Sequence, residues 1–147
     1  MKSINQINWK VIMNDQYQSL IKNKIWIMVK RSDVPSCCQV LNGKWVYKLK
    51  TSPEHWYKAR WVAKGFNQRY GVDYFETFAA VAKPMSYKIL LALTAHYNLE
   101  VHQMDVKSAF LYGELDEEIY LNLPDGFQDQ GDEDMVCRLL KSLYGLK

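Results

Sequence analysis

Two stretches of this 147-residue sequence alternate so strictly that paired β-strands are the natural way to accommodate them. In KWVYKLK, residues 44–50, Trp45, Tyr47 and Leu49 fall on one side of an extended chain, with Lys44, Val46, Lys48 and Lys50 on the other. In HWYKARWVAKGF, residues 55–66, Tyr57, Ala59, Trp61 and Ala63 oppose Lys58, Arg60, Val62 and Lys64. A turn dipeptide, Asn42-Gly43, precedes the first stretch, and a break at Thr51-Ser52-Pro53 separates the two. Paired as a hairpin, they present a charged face able to grip phosphates, with aromatics packed behind it. Alternation alone leaves a second reading equally open, in which the lysines only solvate the outside of a sheet.

Other elements follow from periodicity and breakers. Trp9, Ile12, Met13, Tyr17, Leu20 and Ile21 recur at offsets of three and four, with Lys10, Asn14, Gln18 and Lys22 facing away, so a docking helix opens the chain. IWIMV, residues 25–29, reads as a strand, and RSDVPSCC ends it with a turn around Pro35. GVDYFETFAAVAKP is irregular, and Pro84 suits the first turn of a helix over roughly Met85 to Tyr97. Its ILLALTA is apolar nearly all round, which predicts burial on more than one side and a sheet to back. LEVHQM is expected as a strand that places Val101, Gln103 and Asp105 on one face, followed by a turn and a short helix to Leu111. Acidic GELDEE is a loop, IYLNL and MVCRLL are short strands, and SLYGLK stops without a terminating signal, as a fragment of something longer would.

At 48% hydrophobic and 14% aromatic residues, the composition supplies a core and argues against a disordered chain. The net charge of +3 conceals an asymmetry. From Lys44 to Arg69 seven basic residues stand against the single acid Glu54, whereas from Asp105 to Asp134 ten acids stand against Lys107. Such segregation fits a cationic surface that meets an anion, or two ordinary solvated faces. Three cysteines, two of them adjacent at Cys37-Cys38, provide neither a disulfide framework nor zinc spacing, which favours a reducing intracellular compartment, cytoplasmic or nuclear. The N-terminus has no signal-peptide pattern, and the longest apolar run, Ile89 to Ala95, is too short to span a bilayer, so no membrane partner is expected.

Asp105 is the residue with the clearest chemical potential. A carboxylate at a strand end suits a hard cation such as Mg²⁺. Two-metal phosphoryl chemistry needs several oxygens to hold ions about 3.5–4 Å apart, so Asp105 requires partners. Asp116, Glu117 and Glu118 lie beyond a loop and read better as an exposed acidic turn than as ligands. His102 falls on the opposite strand face from Asp105, and the tryptophans read as packing residues rather than base-stacking platforms.

Five collinear blocks carry a resemblance that covers nearly the whole chain from about Trp9: YQSLIKNKIW, NGKWVYKLK, KARWVAKGFNQRYGVDYFETFAAVAKP, LEVHQMDVKSAFLYGELDEEIYLNLPDGF and VCRLLKSLYGLK. They resemble the reverse transcriptase domain of copia-type retrotransposon Pol polyproteins. The resemblance implies that Asp105 is the first catalytic, metal-binding aspartate, with the Val106 carbonyl as a further ligand of Mg²⁺. It makes Phe110 the steric gate under the sugar of an incoming deoxynucleotide, and Lys107, Ser108 and Ala109 the turn facing its triphosphate. Lys58, Arg60 and Lys64 become the candidates to neutralise that triphosphate, and Tyr144 and Gly145 a segment near the nucleotide and template base. The sequence departs from the family pattern at Trp61, where leucine is usual, at Ala80, where proline is usual, and at Tyr112, where asparagine is frequent. The YxDD-type hairpin that supplies the family's remaining catalytic aspartates is absent from these 147 residues.

The expected fold is therefore α+β, a truncated reverse-transcriptase-like assembly with fingers over about 9–99 and the start of a palm over 100–147. The leading functional expectation is part of an RNA-directed DNA polymerase acting on a template-primer of RNA or DNA and deoxynucleoside triphosphates, inactive alone. A non-catalytic remnant that binds nucleic acid through the basic hairpin is the alternative. An unrelated carboxylate hydrolase pairing Asp105 with Glu117 or Glu118 is the third reading, which would need both carboxyls in one pocket.

Overall fold

The alternating stretches pair as the sequence predicts. In the computed structural model, which describes residues 2–51, 56–77, 82–106, 109–128 and 131–147 (2–5 and 110 by backbone alone), they form an antiparallel hairpin. In chain order the elements are α1 (Lys2–Lys22), β1 (Trp26–Lys30), β2 (Val40–Leu41), β3 (Gly43–Lys50), β4 (Trp56–Ala63), α2 (Pro84–His96), β5 (Tyr120–Leu121) and β6 (Met135–Leu139). Helices with one mixed and one antiparallel sheet make an α+β chain. It divides into two compact units, Met1–Phe75 with Ser108–Lys147, and Glu76–Lys107.

In the larger unit, β3 and β4 form one sheet, and a second sheet runs in the order β1-β6-β5-β2. β1 pairs antiparallel with β6, β6 with β5, and β5 pairs parallel with β2. Trp45 lies directly across from Trp61, and Tyr47 from Ala59, so the aromatic faces of β3 and β4 coincide. α1 lies on that face: Trp9 meets Tyr47 and Tyr57 edge-on at centroid distances of 5.0 and 4.7 Å. The predicted helical stripe is turned inward except at its end, where Leu20 is fully buried but Ile21 remains exposed. Phe127 closes this corner, stacked on Tyr17 at 4.4 Å and tilted against Trp45 at 5.6 Å.

Asn42-Gly43 is not the turn that its composition suggests. Asn42 is the one residue between β2 and β3, where the chain leaves one sheet for the other. Its backbone carbonyl accepts from Lys64 N–H at 2.8 Å, and its side-chain oxygen accepts from Asn122 Nδ2 at 2.6 Å. Gly43 is required for space, since a Cβ there would collide with the Trp61 indole. Trp61, one of the departures from the family pattern, is 1% exposed and fills the centre of the core with its indole N–H unpaired. The Tyr144-Gly145 segment extends the edge of β4: Ala63 N–H donates to the Tyr144 carbonyl at 2.8 Å and Gly65 N–H to the Gly145 carbonyl at 3.1 Å. Gly145 has φ +91°, and a Cβ there would strike the Ala63 carbonyl oxygen, so backbone conformation and close approach both demand glycine.

The smaller unit holds α2, which begins at Pro84 as expected, and the stretch after it. Here two expectations fail. No α2 residue is buried, and Leu90, Leu91 and Leu93 are 62, 58 and 46% exposed. LEVHQM forms no strand: residues 99–106 have no regular secondary structure and all are exposed. A strand exists through hydrogen bonds to a neighbour, which alternation of side chains alone does not provide. The predicted short helix reduces to a 3-10 turn at Ala109–Tyr112. Ser52, Pro53, His55 and Ala80 lie outside the described residues.

Candidate nucleic-acid interface

Strand register gathers the basic residues. Lys44 pairs with Val62, Val46 with Arg60, Lys48 with Lys58 and Lys50 with Trp56, all on the face opposite α1. Lys44, Lys48 and Lys50 are exposed, while Lys58 and Arg60 are half-buried. Two ammonium groups sit over the Trp56 ring, Lys50 Nζ at 4.6 Å and Lys58 Nζ at 5.7 Å from its centre. At the other end the Arg60 guanidinium lies 5.3 Å over the Tyr144 ring. The structure thus unites two groups of predicted nucleotide-binding residues, Lys58 and Arg60 with Tyr144 and Gly145. Hydrogen bonds between β4 and the 144–145 segment hold them together.

Lys64 departs from this group. β4 ends at Ala63, and Lys64, with φ −83° and ψ 68°, turns into the 3-10 turn Gly65–Asn67. Alternation would have kept it beside Arg60. Three basic contributors went unnamed as site residues, Lys44, Lys48 and Lys50, and so did Trp56. Parity carries the signal for all four: even positions on both strands share the basic face.

Beside the hairpin lies a buried polar clamp that no motif announced. Asp73, 7% exposed, accepts from Arg69 N–H at 2.7 Å and from Gln39 Nε2 at 2.6 Å, and forms an ion pair with Arg69 Nε at 3.3 Å. Burial pushes its carboxyl pKa upward, but hydrogen bonds from the Arg69 side chain and backbone and from Gln39 outweigh this and hold it below the ordinary value. Gln68 accepts from Lys147 N–H at 2.8 Å, tying the same turn to residues beyond Gly145.

Asp105 and Val106 belong to the smaller unit and are exposed in irregular backbone. Ala109 opens the 3-10 turn, Lys107 and Ser108 lie outside the described residues, and Phe110 is described only by its backbone. Among the described residues no three His, Cys, Asp or Glu side chains assemble as a metal site. One carboxylate and one carbonyl do not provide the near-octahedral oxygen shell that Mg²⁺ requires, so these residues alone do not fit the ion. Glu118 is engaged elsewhere, with Arg138 at 2.6 Å. A concavity of about 570 Å³ between α1 and Tyr47 is lined chiefly by apolar groups, and one of about 660 Å³ lies against α2. No helix among the described residues is long and apolar enough to cross a membrane.

Comparison with known proteins gives this geometry a context. A family profile described as reverse transcriptase (RNA-dependent DNA polymerase) matches residues 23–147. The chain is 46% identical over 138 residues to the retrovirus-related Pol polyprotein from transposon TNT 1-94 of Nicotiana tabacum, covering 92% of this chain and 10% of that protein. It is 39% identical over 142 residues to the Pol polyprotein from transposon RE2 of Arabidopsis thaliana, covering 95% and 10%. With the Ty1-BL Gag-Pol polyprotein of Saccharomyces cerevisiae the identity is 32% over 136 residues, covering 90% and 7%. The chain therefore spans about a tenth or less of the length of these relatives. No solved structure matches it.

Proposed function

Because the chain belongs to the reverse transcriptase (RNA-dependent DNA polymerase) family, as the copia-type Pol segment does, we propose that it is a portion of an RNA-directed DNA polymerase. It supplies the finger hairpin, which meets the phosphates of template or incoming nucleotide. The observation that carries this reading is the register of β3 and β4, which collects Lys44, Lys48, Lys50, Lys58 and Arg60 on one face. Asp105 with the Val106 carbonyl serves as one part of a Mg²⁺ site whose other carboxylates come from outside these residues. Phe110, with the turn Lys107, Ser108 and Ala109, faces the sugar and triphosphate. Residues 9–99 are mostly fingers and 100–147 begin the palm.

The test places residues 23–147 into the corresponding position of the tobacco Pol relative and measures Mg²⁺-dependent nucleotide incorporation on a primed RNA template. Incorporation that Asp105→Asn abolishes supports the reading. A chimaera that incorporates equally well with Asp105→Asn contradicts the role given to Asp105.

A second reading is favoured by one specific contrast: both strands of the hairpin are formed and paired, whereas among the described residues no cluster of metal-ligating side chains assembles with Asp105. On that reading the 147-residue chain grips nucleic acid without catalysis. Its signature is steeply salt-dependent, sequence-tolerant binding with no incorporation.

A further inference from the structure

We propose that the basic hairpin face is a platform for single-stranded nucleic acid on which Trp56 stacks an unpaired base. The proposal rests on the reading that this face meets nucleic acid, and it adds a residue and a strand preference. Trp56 differs from the other four tryptophans. Trp26 and Trp61 are buried, Trp9 packs on Tyr47 and Tyr57, and Trp45 packs on Trp61 and Phe127. Trp56 is 44% exposed, and its place in β4 turns it away from α1, onto the side that carries Lys58 and Arg60.

Its surroundings suit a polyanion with accessible π-faces. Lys50 lies directly across the hairpin and holds its ammonium over the indole, and Lys58 lies two residues along the same strand. Lys48 and Lys58 are themselves opposed, and like charges across a strand pair disfavour the hairpin. A phosphate backbone laid along this face turns that repulsion into attraction. An arriving base replaces an ammonium on the indole ring with its own π-face, and the displaced lysine is left beside the neighbouring phosphate. Duplex bases already stack on each other, so this exchange is open only to an unpaired strand.

The measurement uses the full 147-residue chain, with fluorescence anisotropy on a labelled oligouridylate of about twelve nucleotides, within the span one single-strand module covers. A duplex of equal length is titrated in parallel. Trp56→Leu is expected to weaken single-strand binding about ten-fold or more, Trp56→Phe to keep most of it, and neither to alter the salt slope or duplex affinity. Circular dichroism of each variant establishes that the hairpin is intact. Equal affinity of wild type and Trp56→Leu for the oligouridylate overturns the stacking proposal while leaving the electrostatic grip in place. Equal loss on single strand and duplex also overturns it, because the residue would then act through the sheet. Absence of binding by wild type to either nucleic acid overturns the underlying reading as well.

Discussion

The smaller of the two compact units has the more apolar sequence, yet it is the larger one that buries its apolar residues. In the larger unit Leu121, Val136 and Cys137 have no solvent exposure, while in the smaller one the leucines of α2 are about half exposed or more. The difference is one of partners. β3 and β4 carry complementary faces next to each other in sequence, so pairing and α1 complete the layer. α2 is apolar on several sides, and its own unit provides no second surface that buries it. Apolar content states a demand for contact; only topology meets it.

Paired truncations break or sharpen this contrast most strongly. Trp61→Ala, at a site 1% exposed, is expected to cost about 3–5 kcal/mol in urea unfolding. Trp61→Phe should cost far less, since it removes the unpaired indole N–H with part of the ring. Leu121→Ala should cost about 2–5 kcal/mol, whereas Leu91→Ala in α2 should stay within about 0.5 kcal/mol. An equal loss from both would mean that α2 is as well packed as the sheet, which the contrast forbids.

Next in size is Gly145→Ala, which must force an Ala at φ +91° against the Ala63 carbonyl and should cost about 1–3 kcal/mol. The same denaturation series reads it. Asp73 brings in pH. Its folded pKa lies below the usual carboxylate value, so its stabilisation is present above that value and lost as pH falls through the lowered one. The stability gap between wild type and Asp73→Asn should be about 1 kcal/mol near neutrality and close below about pH 4, with Arg69 half exposed limiting its size. Smallest in energy is a labelling contrast. Burial pushes the Cys137 thiol up to about 12, so a thiol reagent at neutral pH should modify exposed Cys37 in the native chain and reach Cys137 only on unfolding.

How much of this was legible depended on the range of the interaction. Period-2 alternation located both hairpin strands and which face is basic, and period-3.6 spacing located α1, because both patterns are local. The face of Trp56 was legible as well, from its parity with Lys58 and Arg60, but tryptophan's usual burial hid the signal. Asn42-Gly43 misled because glycine serves a turn and a tight packing site equally, and the indole that demands it lies at position 61. Docking of Tyr144-Gly145 on β4 joins residues about eighty positions apart, which no local pattern encodes. LEVHQM was read as a strand from alternation alone, and no neighbour pairs with it among the described residues. The roles proposed for Asp105 and Phe110 came from family resemblance rather than from spacing, and their test is catalytic.

The central claim is that one face of the hairpin grips a phosphate backbone. Its most direct measurement is the salt dependence of single-strand binding by the wild-type chain and by the Lys48→Gln/Lys58→Gln/Arg60→Gln variant. At about 0.7 per phosphate contact, neutralising three contacts should lower the slope of log affinity against log salt by about 2. An unchanged slope, with the variant folded, would mean that nucleic acid binds elsewhere or that these cations only solvate the sheet.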